Sequence, residues 1–359
     1  RSPRGSRLSS PSPHMKFRTL FERRPLGARL ALTALSAAAA LLPGCDRGED
    51  EASQPRRSIS SRQRSDAAAE LAGLADHEFS GLKAWEHADA LCKLGPRPSG
   101  SEAYEAQLRY LEQHLRAAGW RTQRDVFSGP EGLRFTNLRA VFIREGSATA
   151  SDAASVSASG KSPRPLLLSC HIDTKRGIPG FVGADDGASG ASVLLELARS
   201  LPKQQAQRAE QIELIFFDGE ESLAERMTET DGLYGSRYDV ARRGAGGLPR
   251  WQINLDMVGG RDKRIGVPMA DTPESLLMLY EMAVERLGLS PETWGAVPTG
   301  YLDDHRPYAF AGVDTLNLIA RFQEGGWWHT PADDMSRICP LSLHETGRLV
   351  QQLIRQLLP

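Results

Sequence analysis

The chain has 359 residues, 40% hydrophobic and 25% charged, with 44 Lys and Arg against 45 Asp and Glu. That balance excludes a dedicated nucleic-acid binder, which carries a basic excess or stripe. The length suits one large α/β domain behind an N-terminal extension, and a domain of that size buries enough core to need no covalent staples. The four cysteines, Cys45, Cys92, Cys170 and Cys339, are too scattered for a disulfide framework or a Cys-type zinc site.

From Met15 the chain runs through Lys16, Arg18, Arg23, Arg24 and Arg29 into the apolar run 30–42, then Pro43-Gly44-Cys45. A basic start, a short apolar core and a small-residue cleavage site form a secretory signal, too short for an ordinary membrane span. Leu42-Pro43-Gly44-Cys45 resembles a bacterial lipobox, so Cys45 is expected to carry lipid and to tether an exported protein to a membrane. Residues 46–80 are polar, with little apolar periodicity, and read as a flexible tether. The expected organisation is an extension and signal over 1–45, the tether over 46–80 and a catalytic domain over 81–359, acting as a monomer.

Within that domain, Leu108, Leu111 and Leu115 place a helix over 101–118, stopped by Gly119. Runs of strand length follow at 138–143, 166–170, 212–217, 253–258 and 315–319. The Ser/Ala/Gly-rich stretch 145–164 reads as a loop. Helices are expected over 191–201 and over 274–287, the latter with Thr272 as cap and Pro273 in its first turn. A last helix is expected to open on a capping box of Ser342 and Glu345. Strands alternating with helices predict a three-layer α/β/α sandwich around a mostly parallel, mixed sheet. In such sheets reactive residues gather at the carboxyl ends of strands.

The polar clusters fall at those ends. His171-Ile172-Asp173 follows one strand, Asp218-Gly219-Glu220-Glu221 the next, and Asp256 ends a third. A loop after the fourth reaches Trp328-His329, and the Gly-rich turn 183–190 contributes Asp185 and Asp186. Singly, each reads as a solvated loop residue or an ordinary turn. Together they form a set of oxygen and nitrogen donors of the kind zinc accepts.

The ordered set HIDTK, GADDGASG, FFDGEES, INLDMVGG, DDHRPY and WWHTPADD, with Gly95-Pro96-Arg97-Pro98-Ser99-Gly100 before it, resembles the zinc aminopeptidase clan that also contains animal-type glutaminyl cyclases. The resemblance implies an aminopeptidase-like fold with Asp186, Glu221 and His329 holding a catalytic zinc, and Glu220 as general acid/base. It implies a possible second metal on His171 and Asp256, with Asp173 orienting His171. A cis peptide after Asp186 is frequent in the clan.

Two reactions fit this set. A glutaminyl-peptide cyclotransferase would use one zinc and turn the N-terminal Gln of a peptide or protein into pyroglutamate with loss of ammonia. A zinc aminopeptidase would use two and hydrolyse the first peptide bond. A third reading, a peptide-binding lipoprotein without activity, conflicts with a complete set of acid/base and ligand positions. The FFDGEE segment and Asp303-Asp304-His305-Arg306-Pro307-Tyr308 are similar to the cyclase version. There Asp303 is expected to join Glu220 and Asp256 in a catalytic carboxylate network, and Trp328 to wall the substrate pocket. Two features depart from the animal pattern: Arg226 stands where a pocket Trp is expected, and Cys170 lacks a partner near Ala191. Asn254-Leu255-Asp256-Met257 leans toward the peptidases.

Overall fold

Apolar side chains alternating along the strands, and buried on both sides, build the centre of the molecule. The computed structural model describes residues 78–144, 164–262 and 264–358, all within the unit Ser58–Pro359. The expected signal with Cys45, the tether up to residue 77 and residues 145–163 of the expected loop lie outside the described residues. No helix among the described residues is long and apolar enough to cross a membrane.

The elements run α1 (Gly81–Cys92), α2 (Glu102–Ala117), β1 (Trp120–Ser128), β2 (Arg134–Phe142), β3 (Leu166–His171), α3 (Ala188–Ala209), β4 (Ile212–Phe217) and α4 (Tyr234–Arg243). They continue with β5 (Trp251–Asp256), β6 (Ile265–Pro268), α5 (Glu274–Arg286), β7 (Trp294–Val297), α6 (His305–Phe310), β8 (Asp314–Ala320) and α7 (Pro340–Leu357). The strands form one sheet in the order β1-β2-β4-β3-β5-β8-β6-β7. Its centre, β4-β3-β5-β8, is parallel, and β2 and β6 join it antiparallel on either side.

The central strands are buried on both faces, and in β5 and β8 apolar residues alternate with the buried polar side chains of Gln252, Asn254, Thr315 and Asn317. Leu166, Leu168, Leu214 and Phe216 pack into the larger core, whereas Leu167, Ile215 and Phe217 meet Tyr308 and Val313 on the other side. Helices α1, α2, α3, α5 and α7 pack among themselves over the first face, and α4 and α6 cover the second. This is the expected three-layer arrangement. Helix α3 lies so close to the sheet that a Cβ on Gly190 would stand 2.9 Å from Cys170 Cβ and 2.5 Å from the Leu255 carbonyl oxygen. Cys170 is a free, buried thiol.

Several local expectations need correction. Thr272 does not cap α5: its hydroxyl donates to the Pro268 carbonyl at 2.8 Å, and Pro273 occupies the cap position. Ser342 lies inside α7, which starts at Pro340, and donates to the Gly260 carbonyl at 2.9 Å. Thr272 bonds back to a carbonyl four residues earlier, whereas the Ser342 hydroxyl found a tertiary acceptor that local pattern does not show. Helix α3 runs well past residue 201, through Pro202 to a break at Gln205. Strand β1 was not expected because, as an edge strand, it exposes or half-exposes most of its polar side chains and lacks an apolar run. Strands β6 and β7 have four residues each, too short for a periodic signal.

Candidate active site

The carboxyl ends of the parallel strands carry the cluster. His171 closes β3 and Asp256 closes β5, while Glu220 and Glu221 follow β4. The turn before α3 supplies Asp186, and the segment after β8 returns with His329. His171 Nε2 lies 3.1 Å from Asp186 Oδ1 and 3.0 Å from Asp256 Oδ1. His329 Nε2 lies 3.1 Å from Glu221 Oε1 and 3.5 Å from Asp186 Oδ2. Two triads result, His171–Asp186–Asp256 and Asp186–Glu221–His329, each with its donor atoms within 4.8 Å of one another. Asp186 belongs to both.

Other backbone and side-chain groups hold these residues. Asp333 accepts from the backbone N–H groups of Asp185 and Asp186 at 2.9 and 3.0 Å. The segment that presents His329 therefore also fixes the turn presenting Asp186. Asp185 is turned elsewhere, accepting from the Gly259 N–H at 2.8 Å. Asp173 accepts from the backbone N–H of Glu220 and of Glu221 at 3.1 and 3.2 Å. Its distance of 3.8 Å to His171 Nδ1 is too long for the expected orienting hydrogen bond. The Asp186–Gly187 peptide is trans, and Gly187 takes φ +103° beneath the His171 ring, a backbone angle that disfavours any side chain. His329 and Met257 also hold left-handed backbone, φ 54° and 52°, a strain that accumulates at functional sites.

Asp303 is buried behind the cluster. It accepts from Asn254 Nδ2 at 3.0 Å and from Asn317 Nδ2 at 2.7 Å. The expected hydrogen-bonded network of Asp303 with Glu220 and Asp256 is thus replaced by an influence through charge. Burial pushes the Glu220 carboxyl well above the usual range. Neighbouring His171 opposes this, and Glu221, Asp303 and Asp304 add to it. Burial likewise lifts Asp256 to about 8 against the pull of His171, with Asp303 and Asp186 contributing. Burial drags the imidazoles of His171 and His329 down, but the carboxylates around them outweigh it and leave both raised.

This excess of buried carboxylate fits a divalent cation. Asp186 Oδ2 and His171 Nδ1 are buried without a hydrogen-bond partner, and carboxylate with imidazole is a donor set that zinc takes. A bound dication would reverse the upward shifts.

A pH dependence follows for metal-free protein. Acids raised above their unfolded value near 4 make the folded state bind extra protons, so stability falls as pH climbs through the raised values. Histidines raised above about 6.5 act in the same sense. Asp186, held low chiefly by His171 against its burial, contributes stability that is already complete above about pH 5. Chelated protein should therefore lose unfolding free energy between roughly pH 5 and pH 8. Urea melts with chelator at both ends of that range test this, and a midpoint rising with pH would contradict it.

The cluster opens into a cavity of about 880 Å³ lined by Asp186, Glu220, Glu221, Asp256 and His329. Its apolar lining includes Ile319, Phe322 and Leu302. The two tryptophans part ways: Trp327 is buried with Arg337 stacked on it, whereas Trp328 lines the cavity and stacks on the His329 ring at 3.8 Å. Sequence reading gave no role to Lys175 or Asp333, although both stand in the HIDTK and WWHTPADD segments. Lys175 is buried, with Nζ 3.8 Å from Glu221 Oε2 and 2.7 Å from the Ser222 carbonyl oxygen.

A parallel-centred sheet with this cluster at its carboxyl edge defines an α/β protein of the aminopeptidase-like class. Residues 154–354 match Peptidase family M28. A glutaminyl-peptide cyclotransferase-like protein of Mus musculus is 32% identical over 295 residues, 73% of this chain and 72% of the mouse protein. The glutaminyl cyclase of Porphyromonas gingivalis superposes with a TM-score of 0.65 at 28% identity, covering 79% of this chain and 100% of that one. A leucine aminopeptidase precursor of Bacteroides thetaiotaomicron gives a TM-score of 0.63 at 23% identity over 78% and 98% of the two chains, a likeness of fold alone. The chain belongs to Peptidase family M28.

Proposed function

We propose that this chain is a glutaminyl-peptide cyclotransferase that closes the N-terminal Gln of peptides to pyroglutamate, with one zinc on Asp186, Glu221 and His329. The observation that favours it over peptide hydrolysis is the 32% identity to the mouse cyclotransferase-like protein across 72% of that protein's length. Zinc, when bound, supplies Lewis acidity toward the γ-amide carbonyl oxygen. Glu220 takes a proton from the substrate's α-amine, whose nitrogen forms the bond to the γ-amide carbon. The same carboxyl then delivers that proton to the amide nitrogen as its bond to carbon breaks, and ammonia leaves. Glu220 lines the cavity and belongs to neither triad, so its carboxyl is free to accept that proton and return it. Asp303 and Asp256 assist through charge. Trp328 and Phe322 receive the aliphatic stem of Gln, and ring closure within one molecule supplies the proximity advantage.

Incubation with a Gln-led and a Leu-led peptide tests this. Ammonia and a product lighter by about one ammonia are expected from the first, by the stoichiometry of lactam closure, and no change in the second. Free leucine from the Leu-led peptide would favour the second reading, an aminopeptidase. That reading has its own support, because Asp186 is shared by two triads as a two-metal site requires. In it Glu220 takes a proton from the water that attacks the scissile bond.

We also propose that the chain is exported and anchored through lipid on Cys45. Mass spectrometry of the mature N-terminus, after expression from Met15 in a bacterium, checks this. An unlipidated cytoplasmic product contradicts it.

A further inference from the structure

The proposed reaction concerns the first residue of a peptide and leaves open which chains the cavity favours. Besides the clustered acids, the cavity lining carries Lys175, Arg176, Glu225 and Arg226. Lys175 is committed, donating to the Ser222 and Ala224 carbonyls at 2.7 and 2.8 Å. Among the described residues, neither arginine has an ion-pair partner. Arg176 is exposed and donates to the Ser99 carbonyl, an uncharged acceptor. Arg226 is exposed and, among the described residues, makes no hydrogen bond or ion pair. Glu225 is the one lining carboxylate outside the cluster, so two guanidinium groups face a single carboxylate there. The loop bearing Arg226 is pinned: Asp231 accepts from the Leu223 and Ala224 N–H groups, both at 2.8 Å, and Lys175 holds the same stretch.

We infer that Arg226, with Arg176, selects peptides that carry a carboxylate close behind the N-terminal Gln. The carboxylate is either an Asp or Glu side chain at the second or third position or the free C-terminus of a dipeptide. The inference rests on the cyclotransferase reading for its substrate. An unpaired guanidinium presents a planar fork that matches a carboxylate. It sits on a fixed loop, so little ordering opposes the contact. Because both arginines are exposed, the preference is modest and sensitive to salt.

The test compares C-terminally amidated Gln-Glu-Ala, Gln-Ala-Ala and Gln-Lys-Ala, with Gln-Ala as free acid and as amide. At low salt kcat/KM should favour Gln-Glu-Ala over Gln-Ala-Ala by roughly two- to fivefold, the scale of an exposed ion pair, mainly through KM. The ratio should shrink toward one at about 1 M NaCl, where screening acts within a few ångströms. Arg226→Lys should keep the preference, and Arg226→Glu should reverse it toward Gln-Lys-Ala. Free acid against amide tells the C-terminal source from the side-chain source. Each ratio is taken within one preparation, so lower stability of a variant does not enter it. A wild type without acidic preference, or the same ratio in Arg226→Glu as in wild type, overturns the inference. Absence of ammonia from every Gln-led peptide would instead defeat the cyclotransferase reading, and titration calorimetry on the same peptides then decides the charge preference by affinity.

Discussion

Glu220→Gln is expected to retain zinc and to lose turnover on a Gln-led peptide by roughly two orders of magnitude or more, the scale of a lost general acid/base. Glu220 lines the cavity beside both triads and belongs to neither. Its backbone N–H is anchored on Asp173 at 3.1 Å, so the amide replacement keeps its place. Gln has the same shape but cannot accept and return a proton near neutrality. Metal content by atomic absorption and kcat from ammonia release separate the two effects. A variant with near-normal kcat, or one that lost its metal, would remove Glu220 from the role of proton shuttle.

The second large effect concerns the metal. His329→Ala or Glu221→Ala should lose most of the bound zinc, because each removes one of the three proposed ligands and leaves the others with uncompensated charge. Activity should vanish with the metal and return when zinc is added to chelated wild type. His171→Ala decides the number of ions. If a single zinc sits on Asp186, Glu221 and His329, this variant keeps zinc and much of its activity. If a pair is bound, it loses one zinc and most hydrolysis. Unchanged zinc in both His329→Ala and Glu221→Ala would show the assignment of ligands to be wrong.

Legibility differed from residue to residue. His171, Glu220, Glu221 and Asp256 could be found from sequence because each follows an apolar strand run, and the parallel-sheet rule places such residues at one edge. Trp328 and Trp327 are adjacent and chemically identical, so pattern alone does not separate them; the family resemblance pointed to Trp328, and packing places Trp327 in the core and Trp328 at the cavity. Asp173 illustrates the reverse. Its spacing from His171 suggests an imidazole partner, yet its carboxylate turns to the Glu220 and Glu221 N–H groups, which the end of β4 brings beside it.

The amino-acid sequence by itself determined the layered α/β class, the parallel sheet centre and the chemical identity of the groups at the strand ends. Strand periodicity and strand-end chemistry are local, and local pattern encodes them. Tertiary structure decided which of those groups meet. His171 and Asp256 are 85 positions apart and touch because β5 lies against β3. His329 and Glu221, 108 apart, touch because the chain after β8 returns to the end of β4. The sharing of Asp186, the pinning of its turn by Asp333 and the placing of Arg176 and Arg226 at the cavity depend on strand order and loop return. Those follow from the burial of the whole core and not from the propensity of any one segment.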